Sequence, residues 1–579
     1  MAGRKQKPAK KTSRRAPKPM ARRRVGLWLL VALAVAAQCW IYRDVMTPGG
    51  LSSIAVGEAI IRANWREAVN GWWSPLYGLL IGLVTEMFRP SAAVEFGFVR
   101  FTDFLIFAAT IPCFEFFLRN LIRFNRYRGN YERGELFRPI PVWVFYFIGF
   151  PLFAIASIGW ISVVHHPAAI AVAGALYIVF GVLLRVHMRN AKTWDYVWMG
   201  LALGVAYLAD QCTIVVALLP MLIAVISLRR FRRRKRFVLI SLLMFLVAVA
   251  PYVTALSLVR HRFCVSERLP WRYTTYLTDK PLPMNAVRRY PVTKLAEVPG
   301  TSYQRFPQVA TIPMLYDPGD GAGRPLPGIS WTRVGTTMKD STRALTGAFL
   351  QMSWLLVPAL IFLARNRGRR TTWRAVSGHW PLWAFPVLAA LAYFPFHPQL
   401  WEAAPYMVAI LLGLLSCVEP PLRPSTAGWR AGSIVFTLAV FAGLAILVLP
   451  SQPNRYARVT RELRDAEQQR VIAESVRKSE IRGGDDLALV GEPSTAVWAR
   501  IARVRIVAKI SPSAFSIAPG ADSILNPDGT LKPNVRQAMA DAGICGIVAG
   551  NPPEKVTKHG WYRLGQTGLW ALTIVPNPR

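Results

Sequence analysis

Charge is what this chain has little of. Only 17% of its 579 residues are Asp, Glu, Lys or Arg, while 53% are hydrophobic, and the mean hydropathy is +0.29. A soluble protein of this length carries more charge. Acids are scarcer still: 31 stand against 70 Lys and Arg, a formal net charge of +39. Such an excess raises nucleic acid as a partner. The basic residues, however, do not spread over a globular face. They sit in short blocks between apolar runs: RNLIRFNRYRGNYERGELFR, RVHMRNAK, RRFRRRKRF and RNRGRR. Cytoplasmic loops of membrane proteins have that form, so no nucleic-acid partner is expected. Cysteine is sparse too. The six, Cys39, Cys113, Cys212, Cys264, Cys417 and Cys545, show no metal-ligand spacing. Neither a disulfide framework nor a zinc site follows from them.

What the chain has in quantity is apolar runs long enough to span a bilayer. The expected fold is mainly α, a polytopic membrane protein. Residues 1–24 form a basic tail without an acid, read as disordered and cytoplasmic. The run after it has no small-residue cleavage site and reads as an uncleaved anchor. Keeping every basic block inside places spans near 26–42, 94–122, 140–161, 162–185, 196–209, 213–228, 237–258, 344–364, 380–396, 401–418 and 432–450. That makes about eleven transmembrane helices within 25–450. Loops 43–93 and 259–343 then fall outside. The piece PLYGLLIGLVTEMF, 75–88, is short for a span, so 57–90 reads as helices lying in the outer interface. Loop 259–343 is too long for a plain connector and reads as a lid or substrate wall. Residues 451–579 alternate helix and strand, a small C-terminal α/β extracytoplasmic domain.

The stretch REAVNGWWSPLYG, 66–78, packs Trp72, Trp73 and Tyr77 beside two turn-forming pairs, Asn70-Gly71 and Ser74-Pro75. Aromatic rings of this kind anchor a chain at a membrane interface. They equally suit a groove where a lipid-borne substrate meets water. Asp210 interrupts two apolar runs and needs a cation or water; by topology the nearest charged partners lie in loop 259–343, for example Arg288 or Arg289. His165 and His166 are adjacent, so on a helix they point apart and make poor joint metal ligands. Within the span from 94 to 122, Asp103 and Glu115 are expected to face inward, near Arg100 or Arg119.

Two longer blocks resemble a known family. GGLSSIAVGEAIIRANWREAVNGWWSPLYG, from Gly49 to Gly78, is similar to a block D-G-x-S-Y…A…G-D-W…A-V-N-G-x-W-S-P-L-Y. WARIARVRIVA, Trp498 to Ala508, is similar to W-A-R-x-A-R-V-R-I-V-A, and Tyr316-Asp317-Pro318 matches a Y-D-P. The family is that of the GT-C-fold integral-membrane glycosyltransferases, its family 39-like bacterial members. These are related to protein O-mannosyltransferases and to the enzyme that adds aminoarabinose to lipid A. The resemblance covers roughly residues 25 to 575.

It implies transfer of a sugar from a polyprenyl phosphate to an acceptor at the outer face of a bacterial inner membrane. The partners implied are the polyprenyl-phosphate-linked sugar and the bilayer. No organic cofactor is implied, and a divalent cation is compatible. The chemistry wants a carboxylate beside the acceptor and cations beside the phosphate. Here Gly49 or Gly50 stands at the family's first Asp, Ser53 at a Tyr, Ala168 at a second acid and Asp210 at a Lys. Either the site is rebuilt from neighbours, or the fold is kept for binding a lipid-linked glycan or scaffolding envelope assembly without transfer. Rebuilding assigns catalysis to Asp44, Glu58 and Asp317. Substrate contacts fall to Arg62, Arg66, Trp72, Trp73, Tyr77, His165, His166, Asp210 and Tyr316. Arg62 and Arg66, four apart, read as one helix face that meets a phosphate. Solvated surface charge is the plain alternative for Asp44, Glu58 and the two arginines. A transporter fits worse, since the spans show no repeat and few intramembrane charges.

Overall fold

The structure, a computed structural model, describes residues 18–132, 140–228, 232–279, 293–294, 301–303, 327–353, 377–417, 453–491, 495–515, 523–550, 552 and 554–574. It is mainly helical. In chain order the helices are α1 (Lys18–Ile41), α2 (Pro48–Ile61), α3 (Trp65–Ala68), α4 (Pro75–Phe88), α5 (Glu95–Glu132) and α6 (Val142–Ala154). Next come α7 (Pro167–His187), α8 (Thr193–Ala209), α9 (Ile214–Ala217), α10 (Leu219–Ser227), α11 (Arg232–Val259) and α12 (Arg268–Leu277). The remainder are α13 (Trp331–Ser353), α14 (Trp380–Tyr393), α15 (Leu400–Ser416), α16 (Pro453–Lys478), α17 (Val497–Ala502), α18 (Pro533–Asp541) and α19 (Glu554–Thr557). Five described segments are long and apolar enough to cross a membrane: Arg24–Ile41, Glu95–Tyr127, Val142–Ile161, Pro167–His187 and Arg236–Val259. Shorter apolar helices lie at Pro48–Ile61, Pro75–Phe88, Gln211–Ser227, Trp380–Phe396 and Leu400–Ser416. The expected span 432–450 lies outside the described residues, and 344–364 lies there in part.

Between lipid-immersed helices there is no hydrophobic drive, so close packing at small residues has to hold them. Glycine does this three times. Gly174 and Gly181 of α7 lie against Thr110 and Phe116 of α5. On α8, Gly200 and Gly204 meet Ser241 and Ala248 of α11. Gly57 of α2 fits so tightly against Gly78 and Gly82 of α4 that a Cβ there runs into the Gly78 carbonyl. Around these crossings the core is aromatic. Phe114 stacks on Phe153 with centroids 4.6 Å apart, and Tyr177 closes on Phe114 edge-on at 5.1 Å. Helix α7 is mostly buried inside the protein, while α1 and α11 are mostly exposed, as helices facing lipid would be.

The two acids inside α5 do face inward. Asp103 meets Arg100 at 2.6 Å, both fully enclosed. Glu115 pairs with Arg119, and Arg24 of α1 reaches the same oxygen at 3.5 Å. Helix α2 begins nine residues before the expected 57. Thr47 caps it, accepting the Gly50 N–H at 3.1 Å, with Pro48 in the first turn. That cap and proline outweigh the helix-breaking tendency of Gly49-Gly50.

The C-terminal segment contributes α16 and then most of a sheet. Its strands are β3 (Asp486–Val490), β4 (Arg505–Ile510), β5 (Gly546–Gly550), β6 (Tyr562–Arg563) and β7 (Leu569–Thr573). Helix α18 ends as the sequence indicates, with Gly543 at φ +77°. Two short strands come from elsewhere: β1 (Thr293–Lys294) and β2 (Thr301–Tyr303), both within loop 259–343. The seven-stranded order is β1-β2-β4-β3-β5-β7-β6, with β3 parallel to both β4 and β5. Ser302 pairs with Lys509, so the loop covers the edge that β4 would otherwise leave open. The sequence reading treated that loop as independent of the C-terminal strands. Two- and three-residue strands leave too little alternation to be seen.

Candidate functional site

The aromatic stretch after Asn70 is folded by its own polar atoms. Asn70 Oδ1 accepts the Trp72 N–H at 2.8 Å and the Trp73 N–H at 3.0 Å. Ser74 caps α4, and its hydroxyl donates to the Leu208 carbonyl at 2.8 Å. The Asn70 carbonyl is held by Gln211 Nε2 at 3.1 Å and by the Tyr252 hydroxyl. A Cβ at Gly71 would strike the buried Glu267 side chain, which would have to shift to admit it. The result fixes two tryptophan rings. Trp73 lies over Gly49, and Trp72 meets Trp271 edge-on at 5.2 Å. Tyr77 turns inward and donates to Asp103 at 2.8 Å.

These rings form one wall of a cavity of about 810 Å³. It sits at one end of the bundle. The C-terminal ends of Val142–Ile161 and α8 open into it, as do the N-terminal ends of α7 and α15. The opposite helix ends carry Arg119, Arg123, Arg126, Arg185 and Arg236.

Four arginines line the cavity: Arg100, Arg268, Arg272 and Arg458. Arg268 and Arg272 are four apart on α12, so both face one way. Arg268 meets Asp210 at 3.3 Å and lies 5.5 Å from the Trp401 ring centroid. Asp210 also accepts the Cys212 N–H at 3.0 Å. Arg272 is paired with Glu402, whose other oxygen accepts the Gln399 N–H at 3.0 Å. Arg100 is spent on Asp103 and on the carbonyls of Val45 and Val164. Accessibility separates them: the Arg268 side chain is 26% exposed, against 4% for Arg272 and 3% for Arg100. Arg458, on α16, is exposed as well; of the two arginines on α12, Arg268 is the one open to the cavity. The arrangement suits an anion whose remainder is apolar or ring-shaped.

The histidines stand on the turn Ser162–His166 between two helices, with Ser162 at φ +56°. His166 stacks on Trp401, centroids 5.1 Å apart. Withdrawal from bulk water, with His165 and Arg268 beside it, lowers its proton affinity to about 4. His165 has its Nε2 3.5 Å from Glu462 Oε2, and its own affinity is also lowered.

Of the residues expected at a site, Trp72, Trp73, Tyr77, His165, His166 and Asp210 line this cavity, together with Gly49 and Ala168. Asp44 does not. It is taken by Arg43 at 3.5 Å and Arg470 at 3.1 Å. Glu58 is held by Arg500 beside Glu95, away from the lining. Arg62 and Arg66 do not share a helix face. Arg62 caps α2, Ala63 turns the chain at φ +53°, and Arg66 falls in α3, both arginines exposed. The partner seen at Asp210 is Arg268, which belongs to loop 259–343; Arg288 and Arg289 are the examples named from the sequence. Those two, with Tyr316 and Asp317, lie outside the described residues. Among the described residues no cluster of three or more His, Cys, Asp or Glu is arranged to hold a metal ion.

The sequence reading missed Arg268, Arg272, Trp271, Trp401, Arg458 and Glu462. A signal existed for the first three: RLPWR puts two arginines four apart with a tryptophan before the second. Glu462 gave none, because the apolar residues of α16 mark its inner face without showing which charged residue beside them reaches the cavity.

No protein-family model matches the chain, and no curated protein matches it. Two solved structures share some of its backbone trace. ArnT from Cupriavidus metallidurans in the apo state is 12% identical over 95% of this chain and 99% of that chain, at a TM-score of 0.38. ArnT from Cupriavidus metallidurans bound to undecaprenyl phosphate is 12% identical over the same shares, at 0.37. We draw neither fold nor function from a likeness at this level.

Proposed function

We propose that the chain is a membrane glycosyltransferase that takes a sugar from a polyprenyl phosphate and passes it to an extracytoplasmic acceptor. One observation carries the reading: Arg268 presents its guanidinium to a cavity of about 810 Å³ walled by Trp72, Trp73, Trp271 and Trp401. Guanidinium recognises phosphate, and aromatic rings stack on sugar. The resemblance in the Gly49–Gly78 block points the same way. The basic helix ends lie opposite the cavity, and by the positive-inside rule the cavity end is then extracytoplasmic. The site lies at the end of membrane-crossing helices, where a polyprenyl chain stays in lipid while its headgroup meets water. In transfer, the developing charge on the leaving phosphate is met by Arg268.

The test is an assay of purified full-length protein in lipid nanodiscs with polyprenyl-phosphate-linked hexoses and pentoses. Bacterial envelope lipid and cell-wall polysaccharide serve as acceptors. Release of polyprenyl phosphate coupled to label in the acceptor is expected. No transfer from any donor contradicts it. A second reading, binding of a lipid-linked glycan without transfer, has its own observation: Gly49 and Ala168 line the cavity and bring no carboxyl. Donor binding without turnover would favour that reading.

A further inference from the structure

We infer that His165, which faces Glu462 of the C-terminal segment, is the base that takes the proton from the acceptor hydroxyl. The inference rests on the transferase reading above. Among the described residues lining the cavity, the carboxylates are Asp210 and Glu462. Asp210 is ion-paired with Arg268, and the same oxygen accepts the Cys212 N–H. Glu462 faces a histidine instead. Its Oε2 is buried without a hydrogen-bond partner, and His165 Nε2 is 3.5 Å away. Such contacts are often long in a free enzyme and tighten when substrate binds.

The pair is built from two packed elements. His165 is fixed by its backbone N–H, which donates to the Ser162 carbonyl at 3.1 Å, and by Tyr42 edge-on at 5.9 Å. Glu462 belongs to a stripe on α16 at four-residue spacing: Arg458, Glu462, Ala466 and Arg470. Ala466, with Val459 and Leu463, packs on Tyr42, Val45 and Val164. Arg470 pins the same face to Asp44 at 3.1 Å. The C-terminal helix therefore closes one wall of the cavity and delivers a carboxylate to it.

With Nε2–H turned to Glu462, Nδ1 of the neutral ring is the acceptor. The step balances. The acceptor oxygen bonds the sugar C1, and its proton goes to His165 Nδ1. The C1–O bond to phosphate breaks, and its electron pair leaves with the polyprenyl phosphate. Glu462 faces the imidazolium that results. Burial lowers the proton affinity of His165, Glu462 raises it, and Arg100 and Arg458 lower it. His166 is adjacent, and Tyr42 packs against the ring. His165 is thus neutral and ready at ordinary pH.

The experiment uses full-length wild type, His165→Ala, Glu462→Gln and Arg458→Ala in nanodiscs. Polyprenyl-phosphate binding and single-turnover release from polyprenyl-phosphate-linked sugars are both measured across pH. His165→Ala should lose about a hundredfold or more of the rate, and Glu462→Gln about tenfold or more, with binding within about twofold. The acid limb of the rate profile should move down in Glu462→Gln, which loses the group that raises the affinity of His165. It should move up in Arg458→Ala, which loses a group that lowers it. A helix that merely props the wall would move neither limb. If wild type transfers and His165→Ala keeps its rate, or the limbs stay put, the inference is wrong and the transferase reading stands. If wild type transfers nothing, that reading fails and takes this inference with it.

Discussion

Arg500 and Arg268 are the same residue in two different situations. Arg500, on α17, bonds Glu95 through Nε at 3.0 Å and Nη2 at 2.5 Å and also grips Glu58. One cation meets two carboxylates at once. It ties the C-terminal segment to α2 and α5. Arg268 meets one carboxylate at 3.3 Å and turns toward a cavity. An arginine shared by two carboxylates fastens; one that meets a single carboxylate at a cavity wall recognises. The difference separates a clasp from a site, and no count of charges in the sequence contains it.

The largest effect should come from breaking the clasp. Arg500→Ala leaves Glu58 and Glu95 close together without their cation, and such losses cost about 3 kcal/mol or more. Chemical unfolding in detergent micelles reads it. Arg268→Ala should cost only about 1 kcal/mol by the same measurement, because Asp210 keeps the Cys212 N–H. Equal losses would erase the distinction. In binding the order reverses. Arg268→Ala should weaken polyprenyl phosphate about tenfold or more, the loss of a charge-assisted hydrogen bond, as titration calorimetry in nanodiscs would show.

Glycines give a smaller contrast of the same kind. Gly57→Ala drives a methyl into the Gly78 carbonyl and should cost about 1–3 kcal/mol. Gly97→Ala meets nothing within 4 Å and should cost nothing measurable in the same unfolding assay. A modest effect is expected at the turn. Asn70→Ala removes the acceptor of two N–H groups and should cost about 1 kcal/mol. It should also loosen Trp72 and Trp73, seen as a change in tryptophan fluorescence.

Much of the helical frame was legible in the sequence. Apolar run length and the Arg-rich blocks located the long helices, and alternation located β3, β4, β5 and β7. The cavity was half legible. Trp72, Trp73, Tyr77, His165, His166 and Asp210 stood out because aromatic and polar groups are rare beside apolar runs. Asp44 and Glu58 stood out for the same reason and proved to be ion-pair partners of Arg470 and Arg500. Their partners lie more than four hundred positions away in the chain, beyond any local pattern. Glu462 was hidden for the converse reason. Val459, Leu463 and Ala466 mark the inner face of α16, but only contact with Tyr42 and His165 tells which charged residue beside them reaches the cavity.

A cavity that reads a phosphate at the end of a polyprenyl chain must distinguish polyprenyl phosphate from the uncharged polyprenol. With wild type and Arg268→Ala in nanodiscs at fixed salt, wild type should prefer the phosphate by about tenfold or more, and Arg268→Ala should lose most of that preference. Equal binding of the two lipids by wild type, or an unchanged preference in Arg268→Ala, would contradict this reading of the cavity.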